Sequence, residues 1–426
     1  MIQKLVFILF IGLVLRLALS VLIYSGDLNN HMGWGENILS EGSRGAYDRQ
    51  YVGIMQPTYP PLALYSFVTA DWLYQNIYAI AQSLNDRITL FPSQLIWWLE
   101  DQDVRPSFHK IIPIVSDIGI GILIYLLARR LMKSDPKPAL IASTLYIFNP
   151  AVWYNSSLWG QLESPPVFFV LLSIYLIIKR QPVWAHLAFA SAMLFKQSSL
   201  ILFPAFLVFS IYKSGFKSTI IGLVCQFCLL IIVYLPFTVF KTPFSAVTYP
   251  VTVYLHRIAV GSGSDYISDH AFNLWAPFTH LEKISDQLIV FNGLSAQVLG
   301  KAAFIFLTLL LTLRYIRTRV KSNIFSLIGL TNLAAFLVLT RMHERYLAPV
   351  LPFLAISSAA APQLWPIYLL VSLAHQINLY HNWWYPTLMW LRPVASHWNL
   401  VIMTVVLLVI SALAWTAYYY DETRNK

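Results

Sequence analysis

Charge is what this sequence has least of. Lys and Arg number 29 and Asp and Glu 19 among 426 residues, together 11% of the chain, where a soluble domain carries about a quarter. So thin a supply of charge excludes a surface that is mostly in contact with water. Cysteine is scarce as well, with only Cys225 and Cys228, both inside one apolar run. With no second pair and no histidine near them in sequence, a zinc knuckle or disulfide framework has no support. They read as buried, reduced thiols used as small core residues. No internal repeat is visible, which weakens a secondary transporter built from repeated halves.

What is plentiful is apolar surface. Hydrophobic residues make up 58% of the chain and mean hydropathy is +0.61. Apolar runs fall near 4–24, 109–130, 138–153, 163–178, 183–195, 198–212, 218–240, 297–316, 323–340, 346–361, 364–380 and 397–418. About 20 residues at 1.5 Å each cross a hydrocarbon core. The expected fold is therefore an all-α polytopic membrane protein with about 12 transmembrane helices. The shortest runs are marginal as spans and read equally as short helices buried in the bundle. The first run, from Leu5 to Tyr24, lacks a small-residue cleavage site and reads as a retained helix rather than a signal peptide.

The net charge of +10 invites a nucleic-acid reading, but its distribution points to orientation instead, and no nucleic-acid partner is expected. Arg129, Arg130, Lys133 and Lys137 share one tight connection, Lys179 and Arg180 a second, Lys213 and Lys217 a third. Arg314, Arg317, Arg319 and Lys321 share a fourth. Under an alternating topology these lie on one side with Lys4, Arg424 and Lys426, and that side is expected to be cytoplasmic, with both termini there. The long segments 25–108 and 241–296 then fall on the other side. They are rich in Trp, Tyr and Pro, so they should be ordered along the membrane surface. Residues 59–82 resemble a span, but Asp71 interrupts them, and they read as an interfacial helix.

Several polar groups gather on that non-cytoplasmic side. Asp27 follows the first run directly and reads either as a general base or as the N-cap of a helix beginning at Leu28. Tyr59-Pro60-Pro61 is a rigid entry into a helix. Glu163 follows Trp159-Gly160-Gln161-Leu162, at a depth where a carboxylate wants a partner or a task. Lys196, in Phe195-Lys196-Gln197, breaks the charge bias and reads as an anion ligand or a snorkelling side chain. His343-Glu344-Arg345 places three ionisable residues at a membrane boundary. Arg345 offers a planar fork suited to phosphate, with a plain Glu–Arg pair as the alternative. Arg257 lies in the second long segment, upstream of Asn273-Leu274-Trp275. The sequon Asn155-Ser156-Ser157 is expected to be unmodified.

In this order the motifs resemble the GT-C superfamily of membrane glycosyltransferases. The most similar groups are the bacterial proteins related to GPI mannosyltransferase II and the eukaryotic glucosyltransferases of asparagine-linked glycosylation. The resemblance runs over about 5–350 and rests on Asp27, Tyr59-Pro60-Pro61, Asn149-Pro150 with Gly160-Gln161, Phe195-Lys196-Gln197, Asn273-Leu274-Trp275 and His343-Glu344-Arg345. It departs from many members in carrying Glu163 where Asp is commoner.

The resemblance implies a GT-C-like membrane module over 1–240 containing the first outer loop (25–108), a second outer loop over 241–296 and variable helices over 297–426. It implies an inverting transferase moving a hexose, mannose or glucose, from a polyprenyl-phosphate donor to a glycan or glycolipid acceptor on the non-cytoplasmic face. The membrane is the plasma membrane if the chain is bacterial and the endoplasmic reticulum if eukaryotic. Asp27 would be the base, with Arg345, His343, Lys196 and Arg257 on the donor phosphate. Trp34, Tyr59, Gln161, Glu163, Trp275 and Glu344 would contact sugar or lipid, without a metal or other cofactor. A transporter or flippase of a lipid-linked glycan is the alternative. It needs ionisable residues near the midplane, and Arg16 and Asp117, which also read as a mutual pair, are the candidates.

Overall fold

A computed structural model of the chain describes residues 1–101, 104–132, 135–239, 242–258, 265–318 and 323–421. Lys133, Arg319, Lys321, Arg424 and Lys426, which enter the charge pattern above, lie outside the described residues. Helix dominates. α1 (Ile2–Ser20) leads into four helices of the first long segment: α2 (Asp27–Glu41), α3 (Pro61–Arg87), α4 (Gln94–Glu100) and α5 (Arg105–His109). α6 (Ile111–Leu131) and α7 (Lys137–Ile147) follow.

The run 138–153 is not one helix. Asn149 accepts from the N–H of Ala151 and caps a new short helix, α8 (Pro150–Trp153). Pro150 has no N–H with which to continue α7. A π-type turn (Tyr154–Trp159) then ends on Gly160 in the left-handed region. α9 (Ser164–Ile178) and α10 (Pro182–Phe195) come next, then a 3-10 turn (Gln197–Leu202), α11 (Phe203–Ser214) and α12 (Phe216–Tyr234).

The second long segment holds α13 (Pro243–Val253), α14 (Ala276–Thr279) and a small hairpin, β1 (Ile289–Phe291) with β2 (Leu294–Ser295). α15 (Ala296–Thr318), α16 (Asn323–Val338), α17 (Val350–Ala360), α18 (Trp365–Trp383), α19 (Arg392–Ala395) and α20 (Trp398–Tyr420) complete the chain.

Each apolar run carries helix. Among the described residues, five helical segments are long and apolar enough to cross a membrane: Ile2–Ser20, Arg105–Leu131, Phe216–Phe237, Ala296–Thr318 and Trp398–Tyr420. Their outer faces show why a bilayer is needed. α1 exposes Phe7, Phe10 and Val14, α12 exposes Ile220, Val224 and Phe227, and α20 exposes Met403, Val406 and Ile410. Apolar stripes of that extent are not left to water. α17 is the opposite case, buried from Val350 to Ala359, as a helix apolar all round must be. The chain has the architecture of an all-α integral membrane protein.

The cysteines correct the expectation of buried thiols. Both are free, Cys225 half-buried and Cys228 exposed. α12 turns Thr219, Gly222, Gln226 and Tyr234 inward, so Cys228 falls on the apolar outer face.

Inside the bundle, Arg16 and Asp117 do pair. Both are fully buried, with Arg16 Nε 3.0 Å from Asp117 Oδ2. Arg16 also donates to the carbonyls of Gly12 and Ile147, and Asp117 accepts from Tyr146, Ser156 and Ser164. A buried pair with this many hydrogen bonds braces α1 against α6. Removing one partner leaves a buried charge uncompensated, at a cost of about 3–5 kcal/mol. Arg16→Met should therefore lower the unfolding temperature in detergent sharply. Arg16→Met with Asp117→Leu should recover most of the loss, as thermal unfolding monitored by circular dichroism would show.

Candidate functional site

Asp27 does not cap a helix starting at Leu28. α2 begins at Asp27 itself, and Gly26 precedes it with no side-chain cap. Asp27 Oδ2 instead accepts a 2.6 Å hydrogen bond from Gln161 Nε2. Two contacts hold this segment in place. Buried Lys110 donates to the carbonyl of Ser20, the last residue of α1, and to that of Ile23 just beyond it. The Ser25 N–H reaches the Trp159 carbonyl at 3.4 Å. Gly160, at φ 85°, brings Gln161 against α2, where a Cβ would lie 2.6 Å from Leu28.

His31 and Trp34 stand four and seven residues after Asp27, on the same helix face. Both are buried. His31 stacks on Phe67 of α3 with ring centroids 4.2 Å apart and meets Tyr59 edge-on at 5.5 Å. Trp34 donates Nε1–H to the Met55 carbonyl at 2.7 Å and packs on Tyr59. The helices approach this closely because residue 35 is Gly, where a Cβ would sit 2.3 Å from Asp71 Oδ2. Burial, helped by His109, lowers the His31 pKa to about 3 against the pull of Asp27. His31 is therefore neutral at ordinary pH.

The other half of the site is ionic. Glu163, just before α9, pairs with Lys196 at the end of α10, and Arg345 Nε lies 3.5 Å from the same carboxylate. Arg345 Nη1 donates to Glu344 Oε1 at 3.2 Å. Lys196 does not snorkel. It is 3% exposed, with its ammonium 4.5 Å from the Tyr346 ring centre and 6.0 Å from that of Tyr59.

Burial lowers the Lys196 pKa, with Glu163 resisting and Arg345 assisting. Burial raises that of Glu344 against the neighbouring guanidinium. Arg345 is disfavoured by burial, yet Glu344, Tyr346, Tyr59 and Asp27 hold its pKa well above the usual value. Asp27 thus lies within the electrostatic reach of Arg345. Arg345 Nε, Glu344 Oε2 and Gln161 Oε1 are buried and make no hydrogen bond within the protein. These are groups with bonding capacity to spare.

His343 sits at the edge of the cluster, its Nε2 3.5 Å from Asp269 and its ring edge-on to Tyr346. Burial and the charges of Arg345 and Lys196 lower its pKa well below the usual value. Two of the expected residues do not join. Arg257 is half-buried and pairs with Asp48 at 3.7 Å. Trp275 donates Nε1–H to the Val338 carbonyl at 2.8 Å, while Asn273 accepts from the N–H groups of Trp275 and Ala276. That motif braces the end of α16.

Three contributors carry no motif of their own in the sequence. His31 was visible only as a histidine one helical turn after Asp27. Tyr346 adjoins the His-Glu-Arg motif. Asp71, read as an interruption, is fully buried, ion-paired to Arg105 at 2.8 Å and 3.2 Å from His109 Nε2. Among the described residues, no three His, Cys, Asp or Glu side chains converge as metal ligands would. The chain matches no family model and no curated protein.

His31 generates a pH prediction. Its folded pKa of about 3 lies below the ordinary histidine value of 6.5, so between these values the unfolded chain binds a proton that the folded chain does not. Stability should fall as pH drops from about 6.5 towards 3. A His31→Asn variant should show a shallower loss between pH 7 and pH 5 in detergent unfolding. Equal slopes would contradict the assignment.

Proposed function

We propose that this chain is an inverting membrane glycosyltransferase that moves a hexose from a polyprenyl-phosphate carrier to a glycan or glycolipid acceptor. Asp27, Glu163, Lys196 and Arg345, brought together from four distant parts of the chain, carry the proposal. Gln161 donates to Asp27 two residues before Glu163, the carboxylate that Lys196 and Arg345 share, and Asp27 lies within electrostatic reach of Arg345.

In the reaction the acceptor oxygen bonds to the anomeric carbon as the bond from that carbon to the phosphate oxygen breaks. The hydroxyl proton passes to Asp27 and the electron pair leaves with the lipid phosphate. Gln161 holds one Asp27 oxygen, which aims the other at the hydroxyl. Arg345 and Lys196 meet the charge that builds on the leaving phosphate, where preorganised donors are most effective. Neutral His31, with Trp34 and Tyr59, gives the sugar an aromatic wall.

A carrier lipid also needs an apolar path. An apolar cavity of about 190 Å³ runs between α10, α12 and α13. It begins at Pro60, Leu194 and Gln197, the neighbours of Tyr59 and Lys196, and suits a prenyl chain. The Lys and Arg distribution supports a site on the non-cytoplasmic face. Arg16 and Asp117 are locked to each other and to backbone carbonyls and hydroxyls, which leaves the transporter reading without its path.

The test is direct. Purified protein is offered a panel of polyprenyl-phosphate hexoses and an acceptor extract. Asp27→Asn should cut turnover by about 10²–10⁴-fold, the usual contribution of a general base, and leave donor binding intact. Arg345→Gln should weaken donor binding as well as turnover. Undiminished turnover in Asp27→Asn would remove the base assignment, and no turnover of any donor would remove the transferase itself.

A further inference from the structure

The phosphate side of the proposed transferase site hangs on Arg345, whose Nε makes no hydrogen bond within the protein. A guanidinium with a donor to spare is not placed by its own bonds alone, so its backbone has to be held. That backbone leaves α16 at Val338 and reaches the turn Glu344–Leu347 by way of Arg341, at φ 60°. Residues other than glycine are uncommon in this left-handed region and persist there where their surroundings over-determine them.

The second long segment supplies those surroundings. The Arg341 N–H donates to the Tyr266 carbonyl at 3.0 Å, and the Asp269 N–H to the Met342 carbonyl at 3.1 Å. Asn273 and Trp275 donate through their side chains to the carbonyls of Leu339 and Val338. Tyr266 pairs in turn with Ser285 in a short antiparallel bridge, which brings Asp286 to the Arg341 side chain.

Asp286 is fully buried. It accepts both prongs of the guanidinium fork, from Nε at 2.7 Å and Nη2 at 3.2 Å, and the Thr340 hydroxyl at 3.0 Å. Gln297, in the first turn of α15, ties Asp286 to that helix. Its side chain donates to the carboxylate at 3.2 Å and its N–H to the Asp286 carbonyl at 3.0 Å. Asp265 also meets Arg341 at 3.0 Å, but it is exposed, and such a pair contributes little. A bidentate Arg–carboxylate pair fixes orientation as well as distance.

Given the transferase reading, we infer that Asp286 is a positioning residue for Arg345. It clasps Arg341 to the first turn of α15 and so sets the guanidinium four residues further on. Asp286 touches no reacting atom and acts through the backbone between 341 and 345. A misplacement of about 1 Å transmitted in this way can cost about 10²-fold in rate.

Donor kinetics of Asp286→Asn, alone and combined with Arg345→Gln, test the inference. Asp286→Asn should lower kcat/KM for a polyprenyl-phosphate hexose by about 10²-fold and leave the acceptor KM unchanged. A mere loss of folded protein would lower kcat and move neither KM. In the Arg345→Gln background the same change should cost almost nothing further, because residues acting through one another are not additive. Should Asp286→Asn fold poorly, Arg341→Lys keeps the charge, loses the fork and should act in the same direction. Hydrogen exchange followed by mass spectrometry reads the clasp without turnover. The amides of 341–347 should exchange faster in either variant, while those of α9 and α10 keep wild-type rates. If the wild type turns over no donor, the transferase reading falls and hydrogen exchange alone decides the clasp. Unchanged exchange over 341–347, unchanged donor kinetics in a folded variant, or a full further loss in the Arg345→Gln background would each overturn the inference.

Discussion

Glu163 is a carboxylate taken out of water, and the interior of the site is built around keeping it charged and paired. Desolvating an ion costs several kcal/mol unless partners restore what water supplied. Glu163 recovers that from Lys196 and Arg345, which are themselves buried and need an anion. The arrangement ties the start of α9, the turn after α10 and the turn between α16 and α17 into one knot. Arg345 then turns to Glu344, so two carboxylates and two cations share a space with Tyr59 and Tyr346 around them. Such a cluster is nearly neutral as it stands.

The knot also explains why Asp27 lies where it does. Gln161 is two residues before Glu163, so the segment that fixes Glu163 also fixes the donor on Asp27 Oδ2. The Lys110 contacts at the end of α1 and the close approach at Gly35 set the other side of the same wall. The carboxylate of residue 27 and the guanidinium of residue 345 thus share one reference frame. The helices beyond 297 accordingly belong to the site, because Arg345 comes from them.

The apolar runs made the helices legible in the sequence, since burial in lipid or core depends mainly on local composition. The Arg16–Asp117 pair was legible too, because two lone charges in neighbouring runs have few other partners. Helix interruptions were less visible: Asn149-Pro150 splits a run whose hydropathy alone implied continuity. The facing of Cys228 turns on Thr219 and Gln226, seven residues apart on the inward side of α12, which leave position 228 on the other side. Asp27 as a cap followed from local preference and failed because its partner, Gln161, lies 134 residues away. The Asp71–His109 pair was hidden for the same reason. Arg257 and Trp275 carried ordered motifs, but the folded chain pairs Arg257 with Asp48 and sets Trp275 against Val338.

The most direct measurement of the central claim is a structure of the chain in lipid nanodiscs with a non-cleavable polyprenyl-phosphate hexose bound. The account predicts a phosphate within hydrogen-bonding distance of the Arg345 guanidinium and close to Lys196, with the Asp27 carboxylate facing the anomeric carbon on the side opposite the phosphate. A phosphate bound away from Arg345, or an anomeric carbon out of reach of Asp27, would contradict it.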